Sequence, residues 1–235
     1  MAADNVRAKI LSEFNRQMYI YGYEKTTLKN ICRELSISTG HLYHYFKRKE
    51  DLYEALQLDF FAKLQHILKD HLKAMQPSEL LMLLLVKYYY YWIFIDQPPL
   101  YRVMLEMQHH TATLMFSIES RAKQMQRAMQ LEQIACSFAT AVIAEQTFLL
   151  QTYSICYLRE ENVLKDCTFD SIFWNAFKTW CFNIGLSDNQ AHVYQESLSD
   201  VVSILDKQAI YDKIYEMDSY DYEFSLNYNQ HSHTT

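Results

Sequence analysis

The chain has 235 residues with only three glycines and three prolines, and half of its residues are hydrophobic. So few turn-forming residues favour an all-α protein, and three glycines argue strongly against glycine-rich phosphate-binding loops. The net charge of −6 is unevenly divided, because residues 1–51 carry nine Lys or Arg against six acids and the remainder carries 13 against 22. The basic excess at the N-terminal end suits contact with a polyanion, while the acidic remainder favours solubility.

The first two helices are predicted from apolar spacing and from the residues at their ends. Apolar residues keep helical spacing over 6–21, and Gly22 is the usual kind of residue at which a helix ends. Thr27 suits the N-cap of a second, short helix over about 28–35, which has one apolar face.

A third helix is predicted over about 39–46, with Ser38 as its N-cap. Two short helices joined by a three- or four-residue turn form a helix-turn-helix, whose second member enters the major groove of DNA. The outward face of this third helix is polar, and the basic residues 47–49 follow it directly. Phosphate contacts would fix the position of such a unit, and base-edge contacts would give it specificity.

This segment resembles the N-terminal domain of tetracycline-repressor-like (TetR family) transcriptional regulators. The matching residues are Arg7, GYEKTT at 22–27, LKNI at 28–31, ISTGHLYHYF at 37–46 and KEDL at 49–52. The resemblance is strong over roughly residues 5–52 and only architectural beyond them. Two positions depart from the family pattern. Cys32 stands where alanine is common, and Ser36 stands where glycine is common, which predicts a strained backbone at Ser36.

The resemblance implies a homodimer that binds a palindromic operator in double-stranded DNA and responds to a small-molecule effector. Two-fold symmetry suits this role, because one helix-turn-helix reads only a few base pairs. Thr39 and His41 are expected to read base edges, and Tyr43 could also touch a thymine methyl group. The residues expected to contact phosphates are Thr27, Tyr43, His44, Lys47 and Lys49. The expected DNA-binding residues are Thr27, Ser38, Thr39, Gly40, His41, Tyr43, His44, Lys47 and Lys49.

The rest of the chain is predicted to be helical as well. The predicted helices cover about 48–74, 78–96, 99–109, 111–130, 131–158, 171–183 and 188–205. The helix over 78–96 is apolar nearly all round, but its apolar run is short and Lys87 interrupts it, so it suits a buried core better than a membrane. The Ala-, Ser- and Thr-rich face of the helix over 131–158 suits the dimer interface that the family resemblance implies.

We divide the chain into a helix-turn-helix DNA-binding domain at 1–50, a helical ligand-binding and dimerisation domain at 51–210, and a polar, acidic tail at 211–235. The tail is either a frayed terminus or an arm that lies on the partner subunit.

A cluster of aromatic and methionine side chains in the larger domain is either ordinary core or a pocket for a largely apolar or aromatic ligand. The candidate pocket residues are Tyr90, Phe94, Met104, Met107, His110, Phe116, Phe148 and Trp174. Glu106 and His110 share a helix face, but pocket lining or a surface ion pair explains them better than a metal site. Neither a metal nor a cofactor is expected.

Five scattered cysteines without a C-x-x-C pair, and an N-terminus without a signal peptide, favour a reduced, cytoplasmic protein. No nucleophile elbow or H-E-x-x-H motif is present, so an enzyme is not expected. The leading hypothesis is a repressor that a ligand releases from its operator. The alternatives are a ligand-independent activator or global regulator, and a helical interaction adaptor that does not bind DNA.

Overall fold

The computed structural model describes residues 2–96, 106 and 111–216, and in this part of the chain there are ten α-helices and no strand. The helices are α1 Ala2–Tyr21, α2 Leu28–Leu35, α3 Thr39–Tyr45, α4 Lys49–His71, α5 Glu79–Asp96, α6 Thr111–Leu131, α7 Phe138–Glu160, α8 Phe169–Asn183, α9 Asp188–Ile204 and α10 Lys207–Glu216. The all-α prediction is therefore confirmed.

Helices α1 to α3 and the start of α4 enclose a small hydrophobic core. The two predicted N-caps are present: the Thr27 hydroxyl accepts the Asn30 N–H at 3.2 Å, and the Ser38 hydroxyl accepts the His41 N–H at 3.1 Å. Each cap satisfies a backbone donor that the first turn of a helix leaves without a partner. The core consists of Ile10, Leu11, Phe14, Met18, Tyr23, Ile31, Cys32, Leu42, Phe46, Leu52 and Tyr53.

The turn between α2 and α3 is held in a left-handed backbone conformation. Ser36 has φ 53° and ψ 40°, as its position in place of a glycine predicted. Its N–H donates to the Arg33 carbonyl at 3.2 Å, and the Ile37 N–H donates to the Cys32 carbonyl at 3.0 Å. These bonds fix the angle between the two helices, and the local strain at Ser36 is outweighed by the surrounding core.

The larger domain is built around α5, which is buried on almost every side, as predicted. Helix α4 connects the two cores, since Leu52 and Tyr53 belong to the first while Leu64, Ile67 and Leu68 belong to the second. No described helix is long and apolar enough to cross a membrane.

The predicted helix over 131–158 begins later than expected, at Phe138. Residues 132–137 form a turn in which the Glu132 carboxylate accepts hydrogen bonds from the Ser78 and Tyr194 hydroxyls. Ser137 then caps α7 by accepting the Thr140 N–H at 3.1 Å.

Helix α10 is absent from the sequence prediction and extends past residue 211, where the polar tail was predicted to begin. Ile210 and Ile214 anchor it, because both side chains are buried against the larger core. The predicted helix over 99–109, except Glu106, and residues 217–235 of the predicted tail lie outside the described residues.

Candidate DNA-binding surface and ligand cavity

The polar residues of α3 predicted to contact DNA are all exposed to solvent, while Leu42 between them is fully buried. This arrangement anchors the helix by its apolar side and leaves its polar side free. The exposed residues are Thr39, Gly40, His41, Tyr43 and His44.

Gly40 is not required by the fold of the protein itself. A Cβ at this position would meet only the Ser38 hydroxyl at 3.9 Å, which is ordinary van der Waals contact, and its φ is not positive. The space around Gly40 is therefore free for a close approach by another molecule.

Two edge-to-face ring contacts orient the histidines of α3. The centroid of the Tyr45 ring lies 5.5 Å from that of His41 and 5.2 Å from that of His44. Tyr45 is half-buried, so both imidazoles are held against a side chain that is itself fixed in the domain. Both imidazoles remain exposed, with polar atoms that suit base edges or phosphates.

The basic residues at the start of α4 divide into different environments. The Asp51 carboxylate accepts the backbone N–H groups of Lys47 and Arg48 at 3.0 and 2.9 Å, and it also pairs with the Arg48 guanidinium at 2.8 Å. The Lys47 side chain is exposed. Lys49 is half-buried and donates to the Tyr23 carbonyl at 2.5 Å, and burial lowers its pKa. Lys47 therefore presents its charge to solvent, whereas Lys49 supports the turn after α1.

Glu106 links the larger domain to the same turn. Its carboxylate accepts the Tyr23 N–H at 2.5 Å and the Glu24 N–H at 3.2 Å. This contact was not predicted from the sequence, in which the spacing of Glu106 pairs it only with His110, a residue outside the described part of the chain. Among the residues that the structure describes, no cluster of three or more His, Cys, Asp or Glu could hold a metal ion.

The described residues of the predicted pocket lie along one chain of aromatic contacts rather than around one cavity. Tyr90 stacks on Phe61 with ring centroids 4.5 Å apart and also contacts Phe94. Phe148 belongs to the same core and contacts Tyr91, with ring centroids 5.1 Å apart, and Trp174 is half-buried on α8. Outside the described residues lie Met104, Met107 and His110, and for Phe116 only its place in α6 is described.

A small cavity of about 20 Å³ lies between α4, α5, α6 and α7, which is room for about one water molecule. None of the described residues of the predicted pocket is among those that line this cavity. Its lining combines apolar side chains with three charged ones that were not predicted as pocket residues from the sequence. The lining residues are Phe61, Leu83, Val86, Lys87, Tyr91, Arg121, Gln124 and Glu145.

The charged residues of the cavity form a buried network. The Glu145 carboxylate accepts hydrogen bonds from the Lys87 ammonium and, at 3.0 Å, from Trp180 Nε1. The Arg121 guanidinium donates to the Tyr91 hydroxyl at 3.0 Å. Burial would raise the pKa of Glu145, but Lys87 and Arg121 together outweigh burial and lower it. Burial lowers the pKa of Lys87, and Glu145 opposes that effect. The carboxylate is therefore ionised and holds Lys87 as its partner.

The capped helices, the exposed polar face of α3 and the basic residues after it define a helix-turn-helix DNA-binding protein. Residues 10–56 match the family model described as "Bacterial regulatory proteins, tetR family". The match covers the N-terminal domain, which is therefore similar to that of the tetR family of bacterial regulatory proteins.

One solved structure, described as "Molecular basis for control of antibiotic production by a bacterial hormones", is similar to the chain with a TM-score of 0.43 and 14% sequence identity. The similarity covers 77% of this chain and 97% of the other. No curated protein matches the chain.

Proposed function

We propose that the protein is a cytoplasmic, sequence-specific repressor that binds a palindromic operator as a homodimer and is released by a small ligand with a largely apolar or aromatic body. The observation that carries the DNA-binding part is the exposed polar face of α3, with Gly40 open to close approach and Lys47 at its end. In this proposal Thr39 and His41 read bases, and the exposed residues Thr27, Tyr43, His44 and Lys47 bind phosphates.

Fluorescence anisotropy with DNA from upstream of the gene, at about 50 and 200 mM salt, tests DNA binding directly. We expect tight binding that prefers this DNA to a scrambled duplex and weakens steeply with salt. Lys47→Ala should lower the slope of log affinity against log salt by about 1 for each subunit on the DNA. No sequence preference over a genome-wide selection of fragments would refute the proposal.

Gly40→Ala is the sharpest variant, because its effects on folding and on DNA binding have opposite signs. Alanine in a helix stabilises by about 1 kcal/mol relative to glycine, and the free protein has space for the methyl group. The same methyl group should obstruct the DNA backbone and weaken operator binding. A variant that is more stable but binds DNA as well as the wild type would contradict the close approach at Gly40.

The dimer interface is proposed on the exposed apolar residues of α7 and α8. Ile143, Leu150 and Tyr157 recur every seven residues along α7 and are 56%, 47% and 53% exposed, and Phe182 on α8 is 81% exposed. The two helices are joined by a hydrogen bond from Gln151 Nε2 to the Thr179 hydroxyl at 3.1 Å. Apolar residues exposed in such a row are usual at interfaces, and a second copy of the same surface would bury them.

The small residues from which the α7 interface was predicted are partly buried within the subunit and partly exposed. Ala141 and Ala144 are fully buried within the subunit, whereas Ala139 is exposed. The proposed interface therefore depends on the larger apolar residues. Sedimentation of a Leu150→Glu variant should show a monomer, and Val193→Glu on α9 is a control with similar exposure. A dimer that tolerates Leu150→Glu and Phe182→Glu would refute this interface.

Repression and activation are distinguished by transcripts. In a deletion strain, target transcripts should rise if the protein is a repressor, and a fall would favour the activator alternative. Adding the ligand should release a repressor from its operator in the anisotropy assay.

A further inference from the structure

Two buried cations line the ligand cavity from different helices. Lys87 lies on α5 and is 5% exposed, and Arg121 lies on α6 and is 9% exposed. Glu145 on α7 is the acidic residue among the lining residues. Charged side chains are rarely buried without a partner, so this group of three is a specific feature of the domain rather than a consequence of packing.

The hydrogen bonds of Lys87 leave capacity for a further acceptor. Its ammonium has three N–H donors, and among the described residues it donates to Glu145 alone. Its other contacts are with aromatic faces, since the nitrogen lies 4.5 Å from the centroid of Phe148 and 5.1 Å from that of Trp180. Aromatic faces stabilise a cation but do not replace hydrogen-bond acceptors.

The charges at the cavity also favour an added anion. Burial is the main cause of the lowered pKa of Lys87, and the positive charge of Arg121 lowers it further. An anion bound between the two cations would relieve this repulsion.

The rest of the cavity lining is largely apolar. It includes Phe61, Leu83 and Val86, and Tyr91 adds an aromatic ring with a hydroxyl. A molecule with a charged end and an apolar body suits such a lining.

We propose that this cavity recognises an organic monocarboxylate, with its carboxylate bound between Lys87 and Arg121 and its apolar body against Phe61, Leu83 and Val86. This inference rests on the proposed function of a ligand-responsive regulator and names the chemical class of the ligand. Because the cavity holds only about one water, such a ligand must displace Phe61 on α4. Helix α4 also enters the core of the DNA-binding domain, so ligand entry and DNA binding act on the same helix.

The test uses pairs of probes that differ in charge and little in shape. The probes are benzoate and benzamide, octanoate and octanamide, and 2-naphthoate and 2-naphthamide. Binding to the full-length wild-type protein is measured by thermal shift and by isothermal titration calorimetry. Charge-assisted hydrogen bonds should make at least one carboxylate bind about tenfold or more tightly than its amide. If no carboxylate in the series binds more tightly than its amide, the proposal is overturned.

A double variant tests whether the preference for a carboxylate over its amide arises in this cavity. Lys87→Met with Glu145→Gln removes both charges of the buried pair together, so that neither is left alone. The preference for the carboxylate should fall about tenfold or disappear. The matched control is Lys123→Met with Glu119→Gln, an exposed pair on α6 that should leave the preference unchanged. A preference that survives the buried double change would overturn the assignment to this cavity.

The comparison of carboxylate with amide needs only the wild-type chain, so it stands even where the double variant does not fold. Operator binding is measured separately. A protein that binds its operator but does not prefer carboxylates refutes the ligand class alone. A protein that prefers carboxylates but binds no DNA refutes the proposed regulator.

Discussion

The strongest stability prediction concerns the buried pair of Lys87 and Glu145. Lys87→Met keeps a side chain of similar length in the core but removes the cation that holds the carboxylate. Glu145 is 2% exposed and would then depend on Trp180 Nε1 and the nearby charge of Arg121. A buried carboxylate that loses its partner is strongly destabilising, because its desolvation is no longer compensated.

Breaking a buried pair from one side costs about 3–5 kcal/mol. Because Arg121 still attracts the carboxylate, we expect the lower end, about 3 kcal/mol in the free energy of unfolding. For a chain of this size, that loss lowers Tm by roughly 6–12 °C. The double change Lys87→Met with Glu145→Gln should cost less than Lys87→Met alone, because neither charge is left buried without the other.

The assay is urea unfolding followed by circular dichroism, at one fixed protein concentration because a dimer's stability depends on concentration. Lys123→Met is the control, since this lysine is 64% exposed and should change stability by at most about 0.5 kcal/mol. The stability lost in the double variant is compared with the losses in Lys87→Met alone and Glu145→Gln alone. If it equals the sum of those two losses, the residues do not act as a pair. A Lys87→Met loss as small as that of Lys123→Met would refute the reasoning from burial.

Four further changes have outcomes that follow from single observations. Ser36→Gly should stabilise the protein by about 1 kcal/mol in urea unfolding, because glycine removes the left-handed strain of about 1–2 kcal/mol and loses part of that gain to unfolded-state entropy. An unchanged midpoint would show that the turn is not strained. Gly22→Ala should destabilise by about 1 kcal/mol or more, because φ is 86° and the added Cβ would lie 2.5 Å from Glu106 Oε1. A neutral result there would contradict the close contact. Tyr89→Phe should raise stability by about 1 kcal/mol, since the buried Tyr89 hydroxyl has no hydrogen-bond partner within the described residues. A loss of stability would show that this hydroxyl does have a hydrogen-bond partner. The Cys181 thiol is buried, which raises its pKa to about 12, so iodoacetamide at about pH 8 should modify it only after unfolding, as mass spectrometry of native and unfolded samples would show.

The DNA-binding domain was predictable from sequence because its determinants are local. Thr27 and Ser38 each cap a backbone N–H three residues ahead, and Gly22 ends α1 within hydrogen-bond reach of Met18. Ser36 stands where glycine is common in the family pattern. Its backbone takes a left-handed conformation, which accounts for the strain predicted at this position. Such short-range relations are visible in the order of the residues alone.

The start of α7 was not predictable in this way. Residues 131–137 have no glycine or proline, and their sequence does not oppose a helix. The turn depends on Glu132, whose partners Ser78 and Tyr194 are more than 50 residues away in each direction. Contacts at that distance in sequence override local preference, and a single sequence does not reveal them.

The cavity was hidden for the same reason. The aromatic residues of α5 were conspicuous, and most of them form the core, as the ordinary interpretation of such a cluster expects. Lys87 gave the one local signal, as a charge within an apolar run, but its partner Glu145 lies 58 residues away on another helix. A buried charge within an apolar helix is therefore a better pointer to a site than the aromatic residues around it.

Helix α4 gives the two parts of the molecule a physical connection. It has 23 residues and is about 34 Å long, and it contains neither glycine nor proline at which it could bend. Leu52 lies in the core of the DNA-binding domain, and Phe61 lies at the cavity about 14 Å further along the helix.

A ligand that displaces Phe61 would therefore move or tilt a helix that also carries Leu52. The recognition helices of a dimer must match half-sites about 34–36 Å apart, so a change of a few Å between them would cost binding. The ligand shifts this equilibrium only through its different affinity for the two arrangements, and about 1.4 kcal/mol of difference gives tenfold release. Glu106 opposes such movement, because its carboxylate holds the turn at Tyr23 to the larger domain.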